Sequence, residues 1–282
     1  MLHIALPNKG TLADAAIALV AEAGYRSSRT GRELCIPDPG NDVEFFFLRP
    51  RDIAVYVSQG VIDVGITGRD LNLDAATPAA EILPLGFGRS TFRYAVPRES
   101  DLTPDRFGGL RVACSYPNIV RRDLESRGVQ AKIVQVDGAV EVSIRLGVAD
   151  AVADVVDSGQ TLREAGLKPV GDPVLASEAI VIARSAEDAS HPQVEKFLKR
   201  IQGIIVAREY AMFEYNIRRE RLDKAVVLTP GIEAPTISPL NDPAWVAVKS
   251  MAKKKGMNAL IDALSDIGAK GIVVTDIRTC RL

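Results

Sequence analysis

Short apolar runs alternate with longer amphipathic stretches from the first residues onward. HIALP (3–7) is apolar and carries a β-branched residue, so it reads as a strand. Asn8-Lys9-Gly10 interrupts it. The Ala- and Leu-rich stretch 12–23 then reads as a helix that Thr11 can cap and Gly24 closes. VEFFFLRP (43–50) reads as a buried strand, with Pro50 opening a helix where its missing N–H costs nothing. DVGITGRDL (63–71) repeats the sequence of strand, loop and helix start. Two βα units so close together predict an α/β sheet.

The pattern restarts at Phe92. FRYAVP (92–97), RVACSYP (111–117), KIVQVDG (132–138) and DAVADVV (150–156) read as strands. Helices are expected over 118–127, over 139–146 and from the end of the fourth strand to Ala165. These make a second α/β lobe. AIVIAR (179–184) is a strand that could lead back to the first lobe, and a long amphipathic helix follows over 192–209. The last segment differs. Strands at 210–217, 235–240, 245–252 and 271–277, with helices over 219–226 and 258–267, give the order β-α-β-β-α-β. That order is ferredoxin-like.

Composition narrows the classes. The chain has 282 residues, 47% hydrophobic and 25% charged, which excludes global disorder and suggests two domains or three small ones. The formal net charge is -1 and aromatics are 5%, so neither a basic surface nor stacking platforms argue for nucleic acid. Cys35, Cys114 and Cys280 are far apart, and His3 and His191 are the only histidines, so no Cys/His metal cluster is expected. No apolar run reaches membrane-spanning length and no secretory pattern opens the chain. The expectation is a cytoplasmic protein with no membrane association.

The strongest local chemistry is Asp154-Val155-Val156-Asp157-Ser158-Gly159-Gln160-Thr161-Leu162. An acid sits near the end of a strand, and a Ser-Gly-x-Thr turn opens a helix. Backbone N–H groups at such a turn bind phosphate without a cation, and the two hydroxyls add donors. The same residues also serve as an ordinary helix cap. Lys9, in a loop after a strand, can meet an anion or be a solvated turn lysine. Asp70, in GITGRD, can accept from an amino group or ribose hydroxyl, or cap a helix. Arg49 can bind phosphate, Tyr116 can stack on a base, and Glu141 can face a metal held near Asp154. Each also has a plain packing or surface reading. Together they place anion-binding elements at strand ends in two lobes, and a cleft between lobes is the default ligand site.

LPNKG (6–10), FFFLRPRDIAVYV (45–57), DVGITGRDL (63–71), LGFGRSTFRYAVP (85–97) and GAVEVSIRLGVADAVADVVDSGQTL (138–162) resemble the ATP phosphoribosyltransferases of histidine biosynthesis, in order and over nearly the whole chain. APTISPL (234–240) and IGAKGIVVTDI (267–277) resemble the regulatory domain of the long form of that family. The resemblance implies two periplasmic-binding-protein-like lobes plus a C-terminal ferredoxin-like domain. Lobe I would comprise 1–90 with 185–210, lobe II 91–184, and the regulatory domain 211–282. The implied reaction joins ATP and phosphoribosyl pyrophosphate into phosphoribosyl-ATP and pyrophosphate. It would need Mg2+, be inhibited by L-histidine, and occur in a homo-oligomer of dimers and hexamers.

By the same resemblance, residues 154–162 and Arg49 would hold phosphoribosyl pyrophosphate. Lys9, Asp70, Leu71, Ser90 and Tyr116 would shape the ATP pocket. Lys9, Glu141 and Asp154 would be the catalytic set, with Glu141 and Asp154 meeting ribose hydroxyls or magnesium. Asn216, Thr236 and Gly271 would bind histidine. Two departures stand out. Asp157 places a carboxylate in a phosphate loop, so it is expected to point to solvent. Asn216 stands where the family often has an acid; it still accepts a hydrogen bond but adds no charge. The rival readings are a non-enzymatic small-anion binding protein and a histidine-sensing regulator of the same fold.

Overall fold

The computed structural model describes residues 1–27, 31, 33–156 and 159–281. The chain divides into two compact units, Met1–Lys196 and Phe197–Leu282. The first unit holds two sheets.

The first sheet begins with β1 (Leu2–Pro7), α1 (Thr11–Glu22), β2 (Cys35–Asp38), β3 (Val43–Leu48), α2 (Pro50–Ser58), β4 (Val64–Gly68), α3 (Arg69–Ala75) and β5 (Ala80–Pro84). The chain then builds a second sheet from β6 (Ser90–Pro97), β7 (Arg111–Cys114), α4 (Pro117–Ser126), β8 (Lys132–Gln135), α5 (Val142–Arg145), β9 (Ala151–Val156), α6 (Gln160–Glu164) and β10 (Leu167–Ser177). β11 (Ala179–Ala183) returns to the first sheet, between β4 and β5. The strand orders are β2-β3-β1-β4-β11-β5 and β10-β6-β9-β7-β8.

Apolar runs explain the central strands. Ile4, Leu6, Phe45 and Ile66 are sealed in the first sheet, and all five residues of β11 are buried. In the second sheet Phe92, Tyr94 and Val96 pack with Phe107, Val112, Val120 and Leu124. A strand buried on both faces reads as a continuous apolar run rather than an alternating one.

The structure departs from the sequence reading in six places. β2, β5 and β10 are strands that the pattern does not announce. β10, LKPVGDPVLAS, carries two prolines and Gly171, yet pairs with β6 on both sides of a register shift between Val170 and Leu175. It lies at the sheet edge, where a missing N–H is tolerated. Gly10, not Thr11, occupies the cap position of α1. The helix expected over 139–146 narrows to the four residues of α5. The chain re-enters the first sheet at Ala179, ahead of the lobe boundary expected after 184, because the β11 run pairs with β4 and β5.

α7 (Pro192–Glu209) contains the point where the first unit gives way to the second. The second unit then runs β12 (Tyr210–Arg218), α8 (Leu222–Leu228), β13 (Thr236–Pro239), β14 (Trp245–Lys253), α9 (Met257–Asp266) and β15 (Lys270–Asp276). Its sheet order is β13-β14-β12-β15, all antiparallel, which is ferredoxin-like. β12 alternates: Ala211, Phe213, Tyr215 and Ile217 are buried among residues of α8 and α9, while Glu214 and Arg218 face solvent. Among the described residues no helix is long and apolar enough to cross a membrane.

Candidate active site

In each sheet of the first unit, parallel strands end at the same edge and hand over to loops. In the first sheet β3, β1 and β4 run parallel. β1 connects through α1 toward β3, and β3 connects through α2 to β4 on the other side of β1. That reversal opens a crevice beyond the strand ends. Lys9 follows β1, Arg49 follows β3 and Asp70 follows β4. The second sheet repeats the plan with β8, β7 and β9 parallel. Tyr116 follows β7, Glu141 follows β8, and Gly159 follows β9.

A cavity of about 350 Å³ joins the two edges. Lys9, Asp70, Leu71, Ser90 and Tyr116 all line it, with Pro50, Gly88 and Val155 among the other walls. Residues far apart in sequence therefore share one chamber, apolar on Leu71 and Val155 and polar around Asp70 and Ser90.

Asp70 is buried. The Ser177 hydroxyl donates to Asp70 Oδ1 at 2.7 Å and accepts from the Asp70 N–H at 3.0 Å. Gly68 makes room for this: a Cβ there would stand 2.3 Å from Asp70 Oδ1. The Tyr116 phenol hydrogen-bonds Asp70, and its acidity is pushed well below that of a free phenol, first by burial and then by the Asp70 charge. The phenol is thus a protonated donor at neutral pH. Phe92 meets the Tyr116 ring edge to face at 5.3 Å.

Sequence reasoning missed two residues beside this chamber. Arg51, one helical residue beyond Pro50, places its guanidinium 4.5 Å from the Tyr116 ring centre. It also donates to the Ser115 carbonyl at 2.8 Å and pairs with Asp74 at 3.7 Å. Asp74, at the end of α3, accepts from the backbone N–H groups of Asn118 (2.8 Å) and Ile119 (3.2 Å), and so caps α4 from the other lobe. Burial raises the Asp74 carboxyl, against the pull of those two N–H groups and Arg51. No local signal marks either residue, since the partners lie 64 and 44 positions away.

Asp154 lies one residue before Val155 at the end of β9. Burial raises its carboxyl above the usual carboxylate value; the Val155 N–H, at 2.8 Å, opposes this, and the Glu141 charge reinforces it. The two carboxylates therefore sense each other, and Arg51 and Asp70 act on the same group. A hard divalent cation such as magnesium takes one or two carboxylates and completes its shell with water and substrate phosphate. Glu141 and Asp154 fit that donor set. Among the described residues no group of three or more His, Cys, Asp or Glu forms a protein-only metal cage.

Arg49 is exposed at the end of β3 and does not line the chamber. Glu141 and Asp154 also stay outside its walls; among the described residues of 154–162, Val155 reaches it. Asp157 and Ser158, including the expected outward turn of Asp157, lie outside the described residues. Gly159 precedes α6 at φ 70°, left-handed backbone that suits glycine, and Leu162 anchors the helix in the core. Gln160 and Thr161 are exposed.

In the second unit Asn216 on β12 is the register partner of Lys270 on β15. A Cβ on Gly271 would stand 3.9 Å from Asn216 Nδ2. Thr236 lies on the edge strand β13, opposite Lys249, which in turn faces Glu214. Asn216 and Gly271 are thus neighbours, and Thr236 is two strands away on the same face of the sheet.

A model of the family HisG: ATP phosphoribosyltransferase matches residues 49–203, more than half of the chain. The chain belongs to the ATP phosphoribosyltransferase family. A model of the HisG C-terminal domain matches residues 207–279, as expected of a long-form member. ATP phosphoribosyltransferases of Salinibacter ruber and Pseudarthrobacter chlorophenolicus are 54% and 53% identical to it, each over 100% of both chains. Among solved structures, the ATP phosphoribosyl transferase (HisG:HisZ) complex from Thermotoga maritima aligns with TM-score 0.64 at 27% identity, covering 73% of this chain and 98% of that chain.

Proposed function

We propose that the chamber between the two sheets is the nucleotide pocket in which this ATP phosphoribosyltransferase carries out the first step of histidine biosynthesis. The observation that carries the assignment is the convergence of Lys9, Asp70, Leu71, Ser90 and Tyr116 on one cavity, from four separate segments of two lobes. In the reaction, adenine N1 of ATP forms a bond to C1 of the phosphoribosyl group, and the bond from C1 to pyrophosphate breaks. The attacking nitrogen already carries its lone pair, so no strong base is required. That suits a chain with two histidines, neither of them in the chamber.

Within this reading Tyr116, Leu71 and Val155 embrace the base, and Asp70 and Ser90 supply polar contacts. Lys9 and Arg49 meet phosphates. Residues 154–162 hold the 5-phosphate and ribose of the second substrate, with backbone N–H groups around Gly159 as donors. Glu141 and Asp154 hold ribose hydroxyls or magnesium. Bound magnesium would neutralise charge on the pyrophosphate leaving group, where most of the transition-state charge develops. Lys9 would add a fixed positive charge at the same end.

In the second unit Asn216, Thr236 and Gly271 would take L-histidine as a feedback inhibitor, with Asn216 supplying an acceptor but no charge. Assembly into dimers and hexamers and a cytoplasmic location complete the proposal. The test is pyrophosphate release from ATP, phosphoribosyl pyrophosphate and magnesium, with and without L-histidine. Release that needs both substrates and falls with histidine supports both parts. Release indifferent to histidine removes the Asn216 site. No release from folded protein, with pyrophosphatase pulling the equilibrium, removes the assignment and favours an anion-binding protein.

A further inference from the structure

We propose that Arg51 is a positioning residue for the purine nucleotide. It holds the Tyr116 ring in the plane that the base must meet. The inference rests on the nucleotide reading of the chamber. Tyr116 lines that chamber and Arg51 does not. The guanidinium, 4.5 Å from the ring centre, therefore bears on the ring without lining the chamber itself.

Three further contacts leave the ring little freedom. Phe92 holds it edge to face, Asp70 holds its hydroxyl, and the chain just before it is tied by the bond from Arg51 Nη1 to the Ser115 carbonyl. Arg51 is itself steered by Asp74, whose carboxylate caps α4, the helix that begins immediately after Tyr116. Three groups from α2 and α3 of the first lobe (Arg51, Asp70 and Asp74) thus fix an aromatic ring belonging to the second. A cation behind one face of a phenol also draws electron density from the other face. That favours offset stacking with an electron-rich purine. Arg51 thereby serves ATP by contact, and reaches the phosphoribosyl pyrophosphate side only through the lesser pull of its charge on Asp154.

The experiment compares wild type with R51M and R51K in steady-state kinetics, varying each substrate in turn. AMP binding is measured in parallel by calorimetry, which needs no turnover. Loss of the stacked cation and its bond to Ser115 should raise KM for ATP about tenfold in R51M and weaken AMP to match. KM for phosphoribosyl pyrophosphate and kcat should stay within about twofold of wild type, since only uniform nucleotide binding is lost. R51K keeps the charge near Asp74 without the planar face, and should recover part of the loss. If R51M does not fold, R51K carries the test through the same split between substrates. An unchanged AMP affinity, or equal losses for both substrates, overturns the role of Arg51 while leaving the pocket assignment standing. Failure of wild type to bind either AMP or ATP overturns both.

Discussion

Ser177→Ala removes one hydroxyl and strands two groups. The hydroxyl donates to Asp70 Oδ1 at 2.7 Å and accepts from the Asp70 N–H at 3.0 Å, and both residues are buried. Hydrogen bonds to charged groups contribute about 1.5–3 kcal/mol, and a buried N–H left alone costs about 1–3 kcal/mol. The two losses share one partner and do not simply add, so the expected destabilisation is about 2–4 kcal/mol. With a urea m-value of about 2 kcal/mol/M, the midpoint should fall by about 1–2 M with the slope unchanged. The variant should also bind ATP more weakly, because Asp70 lines the proposed nucleotide chamber and holds the Tyr116 hydroxyl. Urea unfolding by circular dichroism, with ATP KM measured alongside, makes the check. A midpoint within about 0.2 M of wild type would refute the reasoning, since it would mean that Ser177 carries none of the Asp70 burial cost.

Three other outcomes follow from the same geometry. Burial holds the Asp154 carboxyl above its ordinary value, so the folded chain binds that proton more tightly than the unfolded chain does. Its contribution to stability is full below about pH 4 and is lost as pH rises through the folded value. Asp154→Asn should therefore melt higher than wild type at pH 7, with the gap closing toward pH 3.5, while turnover collapses; an Asn variant that melts lower at pH 7 would contradict the sign. Gly65→Ala would set a Cβ 2.4 Å from Ile53 Cγ2 and 3.1 Å from Val57 Cγ2, both on α2 in the core. It should cost about 1–3 kcal/mol in denaturant unfolding, and a second change, Ile53→Val, should recover part of that. Thr236→Phe should abolish inhibition by L-histidine and spare catalysis. Trp245, the single tryptophan, has Lys270 at 5.3 Å, so its emission should respond to histidine in wild type and fall silent in the variant.

Much of this architecture is written in short runs of sequence, and what escapes is instructive. β1, β3, β4 and β11 are apolar and central, so local pattern and tertiary burial agree. β10 escapes because its prolines and Gly171 look like a loop, and only the neighbouring β6 makes it a strand. The chamber residues Lys9, Asp70 and Tyr116 are legible because each follows a readable strand, and family resemblance groups them. Ser177, Arg51 and Asp74 are not, since their meaning comes from partners 107, 64 and 44 residues away. A half-buried carboxylate such as Asp154 announces itself as an acid near a strand end, but its raised proton affinity is a property of the packed lobe.

The chain crosses between the two sheets twice, after β5 and before β11, and the crossings lie side by side. The Leu85 N–H bonds the Ala179 carbonyl at 2.9 Å, the Ala179 N–H bonds the Phe87 carbonyl at 2.9 Å, and the Arg69 N–H bonds the Glu178 carbonyl at 3.0 Å. Mechanically, paired tethers stitched together in this way resist sliding and stretching but bend readily about one line. The lobes then have a single soft coordinate, an angle. The two walls of the chamber, Lys9 and Asp70 from one lobe and Tyr116 and Val155 from the other, stand on opposite sides of that line and move apart or together as one. A spin label on each lobe should trace one closing curve along which every liganded state falls.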